Sequence, residues 1–103
     1  MPAKAPHFSL FFEAAFLDAY SILPLREKKS IDKAVQILSA NPRHPSLNVH
    51  KARGVNARYP AGGKDVFIAY ASKVLRFTFE YGPEPGTISL RNCGYHDTCE
   101  RKI

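Results

Sequence analysis

No apolar run in this 103-residue chain approaches the roughly 20 residues that a membrane-spanning helix needs, so no such helix is expected in it. A secretory leader is not expected either. The stretch behind Met1-Pro2-Ala3-Lys4-Ala5-Pro6 is interrupted by Glu13 and Asp18 and lacks a small-residue cleavage site. Cysteine is scarce: Cys93 and Cys99 are too few for a disulfide framework, so reduced thiols and a cytoplasmic, soluble protein are expected. Cys93, His96 and Cys99 form one short segment with no second ligand pair, so no structural metal site and no cofactor are expected. Internal repeats and biased tracts are absent.

Acidic side chains are also in short supply. Nine Asp and Glu against 15 Lys and Arg leave a formal net charge of +6, and the expected partner is polyanionic: nucleic acid, an anionic membrane surface or an acidic protein. The basic residues are distributed along the chain. A hydrophobic content of 45%, with seven Phe and five Tyr, is enough for one folded core, and the length fits a single domain spanning residues 1–103.

The chain pivots at Asn41-Pro42-Arg43-His44-Pro45-Ser46-Leu47. Two prolines three residues apart end any helix, because each lacks an amide hydrogen and pushes the preceding residue toward extended dihedrals. Arg43, His44, His50, Lys51 and Arg53 follow one another so closely that the segment reads either as a polyanion-facing strip or as a solvated basic loop. Before this pivot, residues 7–12 suit a first strand. Ala15, Phe16, Ala19, Tyr20, Ile22 and Leu23 repeat at helical spacing, and after Pro24 so do Ile31, Ala34, Val35 and Leu38. Two helices joined so closely form an antiparallel hairpin.

After the pivot, strands are expected at 47–53, 65–72, 75–81 and 87–93. An exposed loop is expected over 54–64, a tight hairpin at Lys73-Val74 and a turn at Gly82-Pro83-Glu84-Pro85-Gly86. Helices segregated from hairpin-connected strands define an α+β fold with the helical hairpin packed on one face of an antiparallel sheet. Alternation assigns the faces. Leu75, Phe77, Phe79 and Tyr81, with Ile88 and Leu90, face the helices; Arg76, Thr78, Glu80, Thr87, Ser89 and Arg91 face outward, as a cationic surface or a merely solvated one.

Taken together, Leu23-Pro24, the Asn41-to-Leu47 segment with His50-Lys51, Val66-Phe67 to Tyr70, Leu75-Arg76-Phe77 to Phe79, and Gly94-Tyr95-His96-Asp97 resemble the RelE/ParE superfamily of toxin–antitoxin toxins over nearly the whole chain. The resemblance implies a small curved sheet whose concave basic face receives messenger RNA in the ribonuclease members, and a cognate antitoxin protein as partner. It differs from those members in three places. The tail Glu100-Arg101-Lys102-Ile103 lacks the tyrosine that several RNA-cleaving members carry, with Tyr95 close by; the 54–64 loop looks expanded; and Phe67 stands where relatives often have tryptophan.

Metal-free RNA cleavage requires the ribose 2′-hydroxyl to lose a proton as it attacks phosphorus and the departing 5′-oxygen to gain one, while charge grows on the phosphoryl oxygens. Histidine and arginine suit these tasks. The resemblance implies His96 as general acid or base and Arg76 as the scissile-phosphate contact. His50 is a second candidate base, and Lys51, Arg53, Arg91 and Arg43 are candidate phosphate ligands. The structural alternative for Gly94-Tyr95-His96-Asp97 is a strand end in which Asp97 binds backbone amides. His44 reads as a loop-packing residue and His7 as inert. The functions compatible with these residues are a ribosome-dependent messenger-RNA endonuclease, a ParE-like gyrase poison that needs no histidine at the sheet's end, and an inactive antitoxin-binding relative.

Overall fold

Proline punctuates the helical part of the chain as the sequence predicts. The computed structural model describes residues 8–59 and 63–96. A short strand β1 (Ser9–Phe12) leads into helix α1 (Ala14–Ser21), and Pro24 then opens helix α2 (Leu25–Ala40), its carbonyl accepting from the Lys28 amide at 2.9 Å. The buried residues of α2 are Ile31, Ala34, Val35 and Leu38, one stripe at helical spacing. Asn41 ends the helix in an extended conformation (φ −155°, ψ 92°), which Pro42 imposes on the residue before it. His44, preceding Pro45, is likewise non-helical (φ −59°, ψ 130°).

Leu47 is not the start of a strand. Pro45–Leu47 forms a 3₁₀ turn with Pro45 in its first position, and Asn48 closes it in the left-handed region at φ 46°. Strand β2 (His50–Asn56) therefore begins later than expected and runs into what the sequence reads as loop, with a register shift between Lys51 and Asn56 where Gly54 takes φ 74°. Strands β3 (Asp65–Tyr70), β4 (Leu75–Tyr81) and β5 (Thr87–Tyr95) complete a five-stranded sheet of order β1-β5-β4-β3-β2. The successive pairs from β2 to β5 are antiparallel, as hairpins require, but β1 lies parallel to β5 at the edge, so the sheet is mixed rather than wholly antiparallel. No hairpin ties β1 to a neighbour, which leaves its direction open.

The helix-facing side matches the expected parity. Leu75, Phe77, Phe79, Ile88 and Leu90 are fully buried and pack with Phe16, Ile31 and Leu38. Each such side chain contributes on the order of 1.5–3 kcal/mol relative to exposure. The opposite face departs from expectation: Thr78 and Glu80 are fully buried and Arg76 is only 6% exposed. One cause is a second small core of Ala52, Val66 and Ile68, with Val55 and Ala57 packed against it, where the shifted half of β2 curls over this face.

The other cause is Glu80. Its Oε2 accepts the amides of Arg58 (2.6 Å) and Tyr59 (3.0 Å), and its Oε1 accepts Arg91 Nη1 at 2.5 Å. The Tyr59 side chain lies so close over Gly82 that a Cβ there would sit 2.6 Å from Tyr59 Cβ. Arg58 also pairs with the buried carboxylate of Glu13. Removing one member of a buried pair leaves the other charge uncompensated, so Glu80→Ala is expected to cost about 3–5 kcal/mol in urea unfolding. A loss below about 1 kcal/mol, the worth of an exposed pair, would show that this clamp does not hold the sheet.

Candidate functional site

The turn between β3 and β4 organises one end of the open face. Ala71 donates its amide to the Leu75 carbonyl at 3.0 Å, so the loop is the three residues Ser72, Lys73 and Val74 and not the two-residue hairpin read from the sequence. Ser72 Oγ accepts from the Val74 and Leu75 amides at 3.3 and 3.2 Å. With this loop Tyr70 stands directly opposite Arg76, and Arg76 opposite Gly94. A two-residue loop would have set Tyr70 opposite Phe77, on the helix side, since one residue of register exchanges the faces.

Arg76 is held on three sides. Its Nη1 donates to the carbonyls of Ser72 (2.9 Å), Leu75 (3.1 Å) and Lys73 (3.2 Å), and its Cζ lies 3.5 Å from the Tyr70 ring centroid. A guanidinium on an aromatic face is attracted by the ring quadrupole, more so when desolvated. The outward parity expected for Arg76 is correct, but its expected exposure is not. The charge is nearly buried, where its field is screened less than a surface charge would be.

His50 reaches the same end from β2. It is exposed, its ring meets the Tyr70 ring edge-on at 6.1 Å, and its Nδ1 is 3.1 Å from the Asn48 carbonyl. A carbonyl only accepts, so Nδ1 carries the proton in this contact and the neutral ring presents Nε2 as the acceptor. His96 follows β5, two residues beyond Gly94; it is exposed, and its amide donates to the Val74 carbonyl at 2.8 Å. The turn thus ties Arg76 and His96 to one piece of backbone, while Tyr70 bridges Arg76 and His50. This arrangement offers a proton acceptor and a fixed positive charge at one end of the open face, with the backbone of a second histidine tied to the same turn.

The other predicted residues lie elsewhere. Arg91 shares the open face, but it is the extra residue at a register shift in β5, and its side chain, 13% exposed, is neutralised by Glu80; it is not the open phosphate ligand expected. Lys51 pairs opposite Phe67, which places it toward the helix side, with its ammonium 3.4 Å from Asp65 in a largely exposed pair. Arg53 is exposed in the shifted part of β2, and Arg43 is exposed in the pivot loop on the helix side. Tyr95 falls opposite Leu75 and donates to Glu27 on α2 at 3.2 Å, so it does not join Arg76. Cys93 is buried in the core, its thiol 3.8 Å from the Phe16 carbonyl. Asp97 and Cys99, like His7 and the charged tail, lie outside the described residues.

Tyr70 is the residue that sequence reasoning left among structural anchors. Its signal is its separation from Arg76, which a three-residue loop turns into direct opposition.

No family model matches the chain, and no curated protein matches it in sequence. Solved structures do match. The chain superposes on the archaeal RelE–RelB complex from Pyrococcus horikoshii OT3 with a TM-score of 0.66 at 15% identity, covering 86% of this chain and 94% of that one. The YoeB/ParE toxin from Agrobacterium tumefaciens gives a TM-score of 0.66 at 12% identity, covering 85% and 98%. A metal-bound toxin from Helicobacter pylori gives 0.65 at 20% identity, covering 88% and 97%. The chain has the α+β fold of toxins from toxin–antitoxin systems; within that class it is the fold of the RelE and YoeB proteins. At these identities the likeness is one of fold, and the chemistry rests on the site.

Arg76 also carries a stability expectation. Its hydrogen bonds are charge-assisted and buried, so Arg76→Ala is expected to cost about 1.5–3 kcal/mol in thermal or urea unfolding, and not the roughly 0.5 kcal/mol of a surface change. An unshifted melting curve would mean that the turn does not depend on the guanidinium.

Proposed function

We propose that this protein is the toxin of a type II toxin–antitoxin pair and that it cuts messenger RNA on the ribosome through attack of a 2′-hydroxyl on the adjacent phosphate. The observation that carries the reading is Arg76 stacked on Tyr70 beside His50 on the face that the helices leave open, with the His96 backbone tied to the adjoining β3–β4 turn.

In this mechanism one imidazole takes the 2′-hydroxyl proton as the oxygen attacks phosphorus, and the other gives a proton to the departing 5′-oxygen. His50 Nε2 is the acceptor in the tautomer that the Asn48 carbonyl selects, which suits it to the first role and leaves His96 the second. Arg76 supplies positive potential where charge accumulates on the phosphoryl oxygens, held in advance by the turn carbonyls and the Tyr70 ring. Exposed Arg53, further along β2, serves as a flanking phosphate contact. A cognate antitoxin silences the protein by covering this surface; the fold neighbours include complexes of RelE with RelB and of YafQ with DinJ.

Induced expression without a partner is expected to arrest growth, and pulse labelling is expected to show protein synthesis falling before DNA synthesis. The reverse order would replace the endonuclease reading with a gyrase-directed one.

A further inference from the structure

The Asn41-to-Leu47 segment is not absorbed by the site above, because the chain carries it to the helix side of the sheet. There it roofs a cleft of 720 Å³, with Pro42, Arg43, His44 and Pro45 on one side and the half-buried rings of Phe67 and Tyr81 on the other. That size falls in the usual range for small-molecule sites.

The roof is built rather than loose. Asn41 Oδ1 accepts the Arg43 amide at 3.1 Å, and the Asn41 carbonyl accepts the His44 amide at 3.0 Å. The fully buried Leu47 anchors the end, its amide donating to the His44 carbonyl at 3.1 Å. The Ser46 amide donates to His44 Nδ1 at 3.2 Å, and the Ser46 hydroxyl lies 2.8 Å from the same nitrogen. An amide can only donate, so Nδ1 is the acceptor and the ring proton sits on Nε2. His44 therefore has the tautomer opposite to that of His50 and presents an N–H donor.

The floor is aromatic: Phe67 and Tyr81 meet edge to face at 5.7 Å. Burial pushes the Tyr81 phenol up while the Arg43 charge pulls it down, which puts the guanidinium within electrostatic reach of that ring. None of the described lining residues is acidic, and the Asp65 carboxylate, two residues before Phe67, lies 3.4 Å from the Lys51 ammonium.

We propose that this cleft is a second nucleotide pocket, in which a base lies against Tyr81 and Phe67 while its phosphate meets Arg43 and the Nε2–H of His44. The choice of a nucleotide rests on the RNA reading above. An aromatic floor beside a cationic rim is the pairing that single-stranded RNA uses. The strand thereby engages both sides of the sheet around the β2 edge, where Lys51 stands opposite Phe67 on the cleft side.

The test is an NMR titration of the ¹⁵N-labelled full chain with adenosine monophosphate, inorganic phosphate and a hexaglutamate peptide. Adenosine monophosphate is expected to shift the amides of Arg43, His44, Ser46, Leu47, Asn48, Val49, Phe67 and Tyr81 saturably, and to bind more tightly than phosphate alone. Arg43→Ala, an exposed change that spares the core, is expected to weaken it about fivefold or more, and Tyr81→Leu by a similar factor. No saturable shift at these amides, equal affinity for phosphate and nucleotide, or tighter binding of hexaglutamate would each overturn the proposal, the last assigning the cleft to an acidic protein partner. Nucleotide binding here by a protein that cuts no messenger RNA would keep this site and remove the endonuclease reading. Cleavage without nucleotide at these amides would do the opposite.

Discussion

The Arg76 guanidinium donates to the carbonyls of the turn that feeds its own strand, and most of what is distinctive at that end of the sheet depends on this contact. A three-residue loop leaves carbonyls directed at one point, and a buried cation answers them. The same loop sets Tyr70 across from Arg76, so that the ring covers the guanidinium, and its Val74 carbonyl holds the amide of His96. Loop length, strand register and the position of a candidate catalytic histidine are therefore one structural decision.

At the far end of β4 the same logic runs with the charges exchanged. Glu80 is a buried anion answered by the amides of Arg58 and Tyr59 and by Arg91. Between them, the two buried charges make the open face a structured surface with little of the expected bare polar area. They also show why net charge is a poor guide to which cations meet a ligand. Arg91 and Arg58 are engaged with carboxylates, whereas Arg43 and Arg53 remain exposed along the pivot loop and β2. The +6 total describes attraction at a distance, not the contacts at a site.

Much of the fold was legible in the residues. Pro24, Pro42 and Pro45 bound the helices through backbone geometry alone, and the alternation of Leu75, Phe77 and Phe79 against Arg76, Thr78 and Glu80 assigned the faces of β4 correctly. What stayed hidden depended on single residues of register or on long-range contacts. Residue types alone make the Lys73-Val74 loop one residue too short, which hides the opposition of Tyr70 and Arg76. The pairing of Glu80 with amides more than twenty positions earlier has no local signature. Parity likewise could not reveal that His50 and Lys51, adjacent in sequence, go to opposite sides of the sheet edge. Family resemblance implies His96 and Arg76, with His50 a second candidate base; the turn explains how residues so far apart in sequence come to one end.

Primer-extension mapping of transcripts in a translation extract addresses the central claim most directly, with the wild-type protein beside a His96→Ala variant shown by circular dichroism and melting to be folded. The wild type is expected to cut within translated message, and the variant to cut more slowly by on the order of 10² to 10⁴, the usual worth of a positioned proton-transfer group. Intact transcripts with the wild type, or undiminished cleavage by the folded variant, would contradict it.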